Sequence, residues 1–347
     1  MLRIRELDAD APAGAEPAWD AFVQATPEAT FFHLAPWRHV IERAFGHRTH
    51  YAYAEQDGAI VGVLPLARMK TLLFGDALIS TPFCVYGGPV AATPEAARLL
   101  ESHARDLMRR TGVPSLEFRR RDAADAGWDE RPALHYTFRR AITGNADADM
   151  KAIPRKQRAM VRKGIANGLR SVSDRDTRRL HHVYARMVHA LGTPVFSEKY
   201  FRLLGEAFPD SHDVTTVFHE DNPVASVLNF HFREEVLPYY GGGTPEARGL
   251  AGNDFLYWEV MRRAGAERGA RLFDFGRSKA NTGAFDFKRN WGFEAQPLHY
   301  CYQLRKGAKL SENNPSNPKF KLMIAAWRKL PLQLANVIGP RIVRGLG

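Results

Sequence analysis

Five short segments of this chain occur twice, in the same order, at separations of roughly 150 to 165 residues. Gln56-Asp57-Gly-Ala-Ile-Val-Gly-Val-Leu64 returns as Glu220-Asp221-Asn-Pro-Val-Ala-Ser-Val-Leu228, and Tyr86-Gly87-Gly88 as Tyr240-Gly241-Gly242. Thr93-Pro-Glu-Ala96 returns as Thr244-Pro-Glu-Ala247, and Gly112-Val-Pro-Ser-Leu-Glu-Phe118 as Gly269-Ala-Arg-Leu-Phe-Asp-Phe275. The fifth pair is Ala133-Leu-His-Tyr-Thr-Phe138 and Pro297-Leu-His-Tyr-Cys-Tyr302. Ordered repetition at a domain-sized period implies a duplicated domain. A chain of 347 residues has room for two domains that each bury a full core. The polar stretch Ala141 to Asp149 is the natural seam, which divides the chain into residues 1–145, 146–305 and a tail, 306–347.

Within each copy the pattern reads helix, hairpin, strand, glycine loop, helix, strand, strand. Residues 17–46 are expected to be helical, and Tyr51–Ala54 and Ala59–Leu66 to pair around an Asp57-Gly58 turn. Ala77–Val85 reads as a strand, and Thr93-Pro-Glu as the start of a helix that stops at Gly112. Ser115–Phe118 and Leu134–Phe138 read as further strands. The second copy centres on Tyr239 to Phe293. There Gly241-Gly242-Gly243 are expected to break a strand, and Asn253 or Asp254 to cap the helix that follows. Gly269 ends that helix, Arg271–Phe275 is a short strand, and Lys288 lies on a turn.

Hydrophobic residues make up 45% and charged residues 25% of the chain, as in globular proteins. The net charge is +11 and the pI about 9.7. Such a balance favours an anionic partner: a nucleic acid, a nucleotide-linked substrate or a membrane face. Surplus surface arginine is the plainer reading. Cys84 and Cys301 sit in apolar runs and read as reduced, buried thiols, which fits the cytoplasm. No Cys-x-x-Cys or His-Glu-x-x-His occurs, and His181 and His182 diverge by about 100° on a helix, so no metal site is expected. The first residues lack the apolar core of a signal peptide, and no run reaches the roughly 18 to 20 apolar residues that span a bilayer.

Asp274-Phe-Gly276 also occurs in protein kinases, but the His-Arg-Asp loop and the N-terminal Gly-x-Gly-x-x-Gly are missing. Gly241 to Gly252 could cradle a pyrophosphate, although Arg248 followed by Gly-Leu-Ala-Gly departs from the usual acetyltransferase spacing. No Gly-x-Ser-x-Gly elbow occurs, and no cysteine stands beside a histidine in sequence. Lys151 to Arg170 contains Lys151, Arg155, Lys156, Arg158, Arg162, Lys163 and Arg170 without one acidic residue. Arg155, Arg158 and Arg162 share a helical face, where guanidinium groups could clamp a diphosphate. A merely solvated face is the alternative.

The strand, loop, helix, strand core resembles the GNAT acetyltransferase fold. Tyr239-Tyr-Gly-Gly-Gly, Asn253-x-Phe-Leu-x-Trp258, Asp274-Phe-Gly276 and Phe287-Lys-x-x-Trp-Gly292 are similar to the C-terminal half of the Fem peptidyltransferases. Pro65, Pro82-Phe-x-x-Tyr-Gly-Gly88 and the basic Arg155–Gly168 segment extend the resemblance to about residues 15–305. More narrowly, the chain resembles the FemAB-related proteins of exosortase/PEP-CTERM systems. The resemblance implies an α/β fold of two tandem GNAT-like domains, mixed sheets flanked by helices. In that fold two neighbouring strands splay apart to receive an acyl carbonyl. It further implies amide-bond formation on an amine of a cell-envelope or exopolysaccharide precursor such as peptidoglycan, with no tightly bound cofactor. The long paired helices that some Fem proteins insert have no counterpart, since one helix, about Asp176–Leu191, follows Gly168. Aminoacyl-tRNA and acyl-CoA thus both stand as donors.

The resemblance assigns Lys288 to stabilising the donor end of the reaction, with Phe285 and Trp291 excluding water. Tyr239, Tyr240 and Gly242 would line the donor carbonyl, with Tyr257, Arg277, Asn281 and Trp291 beside them. Asp274 and Asp286 are the candidate bases; Asp274 reads equally as a strand-end carboxylate paired with an arginine. A nucleotide- or lipid-linked acceptor would meet Arg155, Arg158 and Arg162 between the two halves, and no DNA partner is expected.

Lys306 to Pro318 reads as a linker. Beyond it Phe320, Met323, Ile324, Trp327 and Leu330 form an apolar helical face among Lys319, Lys321, Arg328 and Lys329, continued after Pro331 by Leu332, Leu334, Val337 and Ile338. Residues 319–345 therefore either touch an anionic membrane at its inner face or strap onto the body of the protein. A non-catalytic adaptor that binds an anionic glycolipid or membrane is the reading from a different functional class.

Overall fold

A computed structural model describes residues 1–8, 10–71, 75–123, 127–130, 134–308 and 318–346, with the side chains of residues 318–322 left aside. Two compact units emerge. The first begins with β1 (Leu2–Glu6), α1 (Ala15–Ala25), α2 (Pro36–Phe45), β2 (Arg48–Gln56), β3 (Ala59–Thr71) and β4 (Gly75–Ser80). It continues with β5 (Val90–Ala91), α3 (Pro94–Thr111), β6 (Ser115–Arg120) and β7 (Asp129–Glu130). The second unit contains β8 (His135–Thr137), β9 (Arg139–Ala141), α4 (Ala146–Ala152), α5 (Arg155–Ala166), β10 (Arg170–Asp174), α6 (Thr177–Leu191) and α7 (Glu198–Ala207). Then come β11 (His212–His219), β12 (Asn222–Phe232), β13 (Glu235–Gly243), α8 (Ala247–Leu250), α9 (Gly252–Arg268), β14 (Leu272–Asp274), β15 (Ser278–Lys279) and α10 (Gly283–Asn290). After β16 (Gln296–Pro297) the chain gives β17 (His299–Leu304) to the first unit, and α11 (Pro318–Lys329) and α12 (Leu332–Val343) to the second.

Local chemistry sets many of the boundaries. Asp57 and Gly58 both take positive φ, as the tight hairpin turn between β2 and β3 demands. Thr93 caps α3 by accepting from the Ala96 amide, and Asp176 caps α6 by accepting from Arg179. Gly112, Gly192 and Gly269 close α3, α6 and α9 in left-handed conformations.

The first unit is a sheet in the order β1-β2-β3-β4-β6-β17-β7, with β5 added beside β3. Leu64, Leu66, Leu78, Leu100, Leu116 and Phe118 anchor its core beneath α3. The second unit's sheet runs β10-β11-β12-β13-β14-β9, with Val227, Val236, Leu256, Val260, Met261 and Phe273 in its core. The final strand of each repeat lies in the other unit: β17 pairs with β6 and β9 with β14. Residues 135–145 and 297–305 therefore fold with the opposite unit from the one a linear boundary at 145 gives them.

Several expectations change. The helical stretch at 17–46 is two helices separated by a single 3-10 turn at Phe31–His33. The strand expected to reach Val85 ends at Ser80, because Thr81 and Phe83 adopt positive φ. Gly241 to Gly243 do not break β13 but continue it. A Cβ on Gly241 would stand 2.2 Å from the Ser226 carbonyl oxygen and 2.4 Å from the Val227 Cα, so glycine is what lets β12 approach. Neither Asn253 nor Asp254 caps α9; left-handed Ala251 occupies that place with no side-chain cap. Lys288 lies on a helix, α10, not on a turn.

Part of the linker expected at Lys306–Pro318, residues 309–317, lies outside the described residues, as do the side chains of Lys319, Phe320 and Lys321. The rest of the tail packs on α6. Arg328 donates to the Leu191 carbonyl over 3.1 Å, and His189 Nε2 lies 2.9 Å from the Leu330 carbonyl oxygen. No helix among the described residues is long and apolar enough to cross a membrane.

Candidate active site

The two strands that frame the site in the second unit, β13 and β14, run parallel but hold register only at Glu235↔Leu272 and Val236↔Phe273. Beyond that point β14 stays with β9, down to Asp274↔Arg139, and the Phe275 amide donates to the Phe138 carbonyl. β13 stays with β12, and its register slips between Leu228 and Asn229, opposite the Pro238–Tyr240 stretch. A bulge of this kind bends the strand and re-aims its backbone. The two strands thus part company at the level of Leu237 and Asp274.

The loop from Gly276 to Asn281 lines the end of β14, and α10 begins behind it. Thr282 caps α10 by accepting from the Phe285 amide at 3.3 Å, while its hydroxyl donates to the Lys279 carbonyl at 2.8 Å. That cap fixes the helix two turns before Lys288. The Lys288 ammonium donates to the carbonyl oxygens of Gly276 (3.1 Å) and Arg277 (3.0 Å). It also lies 5.4 Å from the centroid of the Phe138 ring and 6.0 Å from that of Phe275. An ammonium has three donors, and the third has no partner among the described residues. Burial pulls the Lys288 pKa down to about 7; the Asp274 carboxylate opposes that shift and the Arg277 guanidinium adds to it. The amine therefore sits where small changes in surroundings decide its charge.

Asp274 is fully buried. Its carboxylate accepts from the Gly276 amide at 2.7 Å and forms an ion pair with Arg139, whose Nε lies 3.2 Å away, with the Thr137 hydroxyl at 3.5 Å. Arg139 in turn pairs with Glu235, across the parallel ladder. The structure makes Asp274 the paired strand-end carboxylate, not a base open to substrate. Asp286 is exposed on α10.

Trp291 and Tyr240 are corrected as lining residues. Trp291 is wholly buried, and its indole N–H donates to Asp254 Oδ1 over 2.9 Å. It belongs to the core between α9 and α10, and the rings nearest the Lys288 amine are Phe138 and Phe275, not Phe285 and Trp291. Tyr240 turns into an aromatic cluster with Tyr184, Phe196 and Phe201, its hydroxyl 2.8 Å from that of Tyr200. Gly242 is buried beneath Met187, whose sulfur stands 2.4 Å from where a Cβ would be. Tyr239, half-buried, is left on the strand edge.

Tyr257 reaches the same neighbourhood from α9, its ring 4.9 Å from Phe275 and 5.6 Å from Phe287. Its hydroxyl makes no hydrogen bond among the described residues, and burial pushes its pKa up to about 12. Arg277 is half-buried, and Asn281 is exposed with φ +59° in the turn before α10.

Arg155, Arg158 and Arg162 are brought together on α5, exposed, half-buried and exposed in turn, while Gln157, Val161 and Gly164 face inward. None of the three forms an ion pair among the described residues. The Pro154 ring, at the start of α5, comes within 3.1 Å of where a Cβ on Gly292 would stand, so the basic helix begins beside the end of α10.

Sequence reasoning missed Phe138 and Arg139, which approach Lys288 and Asp274 only through the exchanged segment. It also missed how the equivalent place in the first unit is closed. There β4 and β6 hold register at Leu78↔Leu116 and Ile79↔Glu117, after which Arg119 fills the gap. Its guanidinium donates to the Cys84 carbonyl (2.8 Å), its carbonyl accepts from the Gly87 amide (2.7 Å), and the Tyr300 hydroxyl donates to the Val85 carbonyl (2.7 Å). The open strand pair and its lysine belong to the second unit.

A parallel strand pair that separates in front of a helix, built twice in one chain, defines a tandem GNAT-like fold. Residues 150–289 match the family described as an acetyltransferase (GNAT) domain. Among solved structures the chain is similar to FemX, at 15% identity over 86% of this chain and 96% of that one, with a TM-score of 0.65. It is also similar to the C-terminal domain of a putative lysylphosphatidylglycerol synthetase from Agrobacterium fabrum (13% identity, 90% and 95% covered, TM-score 0.56). A third is a tandem GNAT protein from the clavulanic acid biosynthesis pathway (15% identity, 89% and 100% covered, TM-score 0.54). No curated protein matches the sequence.

Proposed function

We propose that the second unit transfers an acyl or aminoacyl group to an amine, forming an amide bond on a precursor of the cell envelope or an exopolysaccharide. The observation that carries this reading is the Lys288 ammonium, fixed on two carbonyls where β13 and β14 separate. Attack of an amine on an acyl carbonyl builds negative charge on its oxygen. A cation held in place beforehand stabilises that charge without reorganising, and one such donor is worth roughly 3 to 4 kcal/mol of barrier. The donor carbonyl would lie between the Tyr239 edge of β13 and Lys288, with Tyr257, Arg277 and Asn281 around it. Arg155, Arg158 and Arg162 would grip the phosphates of a nucleotide- or lipid-linked acceptor. The acceptor amine would lose its proton to water or to Asp286. The reaction is proposed for the cytoplasm, where the thiols of Cys84 and Cys301 stay reduced.

Aminoacyl-tRNA and acyl-CoA remain the two donor classes, neither of them a tightly held cofactor. One observation favours acyl-CoA: α9 begins after left-handed Ala251 with no side-chain cap, and a helix N-terminus without one suits a phosphate. Thermal-shift titration separates the donors, since the one that binds the folded state raises the melting temperature. Mass spectrometry of nucleotide- and lipid-linked precursors from a deletion strain identifies the acceptor. If Lys288→Ala keeps full transfer on that acceptor, the site is wrongly assigned.

A further inference from the structure

The last helix of the second unit is apolar on the wrong side for a strap that only covers the protein. Its inward positions are small or modest: Ala335, Gly339 and Val343, at four-residue intervals. Gly339 is pressed so close that a Cβ there would stand 2.9 Å from the Val195 amide nitrogen. The larger aliphatic residues point away. Leu334 is 51% exposed, Val337 63% and Ile338 39%, and with exposed Arg341 they occupy positions i, i+3, i+4 and i+7 of one face. On α11, Met323 is 61% exposed, while Trp327 is the buried member. An apolar face turned outward on a helix already docked by its opposite side marks an interaction surface.

Charge selects the occupant. After Glu312 the sequence has no acidic residue, but it has Lys319, Lys321, Arg328, Lys329, Arg341 and Arg344. Lys329 and Arg341 are exposed and form no ion pair among the described residues. Basic side chains flanking aliphatic ones on a helix that lies flat match an anionic bilayer surface, with the aliphatic groups at the acyl boundary and the cations among the headgroups. We propose that the outer face of α12, with Lys329 at the end of α11, docks this protein on anionic lipid, while the inner face of α12 packs on the protein. The two roles assigned to the tail in the sequence are then held by opposite faces of one helix. This proposal goes beyond the acyl-transfer reading and does not depend on it.

The test is flotation of the full-length protein with vesicles of phosphatidylcholine alone and with equal parts phosphatidylcholine and phosphatidylglycerol. The expected result is binding to the anionic vesicles only, weakened by salt. The variant Leu334→Gln/Val337→Gln/Ile338→Gln changes only outward side chains and should lose binding by about tenfold or more. Lys329→Gln/Arg341→Gln leaves the apolar face intact and should lose binding by roughly thirtyfold. Matching thermal melts show whether each variant is folded. Failure of the wild-type chain to bind anionic vesicles overturns the proposal, as does undiminished binding by both variants. A wild-type dimer in solution that the triple variant turns into a monomer assigns the face to a second copy of the chain instead.

Discussion

The amine of Lys288 donates to the carbonyl oxygen of Gly276 over 3.1 Å, which ties the middle of α10 to the loop that leaves β14. A lysine in that position is placed by the contact and desolvated by its burial. Its rotamers are restricted, and its pKa falls to about 7.

The first prediction concerns pH. If the charged amine stabilises the reacting carbonyl, turnover should fall as pH rises through about 7. Lys288→Arg, which stays protonated, should flatten that limb even where it lowers the rate. Lys288→Ala should cost on the order of a hundred- to a thousandfold in kcat. Folding stability is linked to the same proton. Between about 7 and the ordinary lysine range the unfolded chain holds a proton that the folded chain has released, so stability should rise with pH across that window. Denaturant midpoints of wild type and Lys288→Met should converge at the alkaline end, with the variant more stable near neutrality.

Asp274 provides the second prediction. It is fully buried and holds the Gly276 amide and Arg139 at once. Asp274→Asn removes one partner of a buried pair, which costs about 3 to 5 kcal/mol. Glu235 retains Arg139 and should keep the loss towards the lower figure. Because the Asp274 charge holds the Lys288 pKa up, its loss should also move the alkaline limb of the activity profile to lower pH. A destabilised variant with an unmoved pH profile would separate the two residues.

What the chain reveals before folding depends on how far its contacts reach. The Asp57-Gly58 hairpin, the helix start at Thr93 and the glycines closing α3 and α9 are decided within a few residues, and they read correctly. The triple glycine at 241–243 misleads because its reason lies across the sheet, in the backbone of Ser226 and Val227. The burial of Trp291 follows from Asp254 on another helix, and the surroundings of Lys288 follow from Phe138 and Arg139 on an exchanged segment. The repeat announces two similar units but not which of them is open. Only Arg119, seated among Cys84, Gly87 and Tyr300, makes that distinction.

The basic face of α5 gives the third prediction. Arg155, Arg158 and Arg162 have no acidic partner among the described residues, so replacing them with glutamine should leave the fold intact. If they grip a phosphate-linked acceptor, Arg155→Gln/Arg158→Gln/Arg162→Gln should raise KM for that acceptor by roughly tenfold or more and change kcat little. The wild-type KM should rise with ionic strength, and the triple variant's should respond less. A loss confined to kcat would place these arginines in positioning of the reaction and not in capture of the acceptor.

The fourth prediction separates a core role from a substrate role at Trp291. Trp291→Phe keeps most of the ring in place but removes the N–H that serves the buried Asp254 carboxylate. Burial already raises the Asp254 pKa, and the Trp291 hydrogen bond opposes that rise. Without the bond the pKa should rise further. A carboxyl whose folded pKa lies above its unfolded value favours the folded state at low pH and loses that advantage as pH climbs. The destabilisation should therefore be about 1 to 3 kcal/mol near neutrality and smaller in acid, where Asp254 is protonated in either protein. Trp291→Phe/Asp254→Asn should recover part of the loss at neutral pH, because the uncompensated charge is gone. If Trp291 instead lined the acyl site, the single variant would change KM while leaving this pH-dependent stability difference absent. Denaturation at two pH values, alongside KM for the validated acceptor, distinguishes the two.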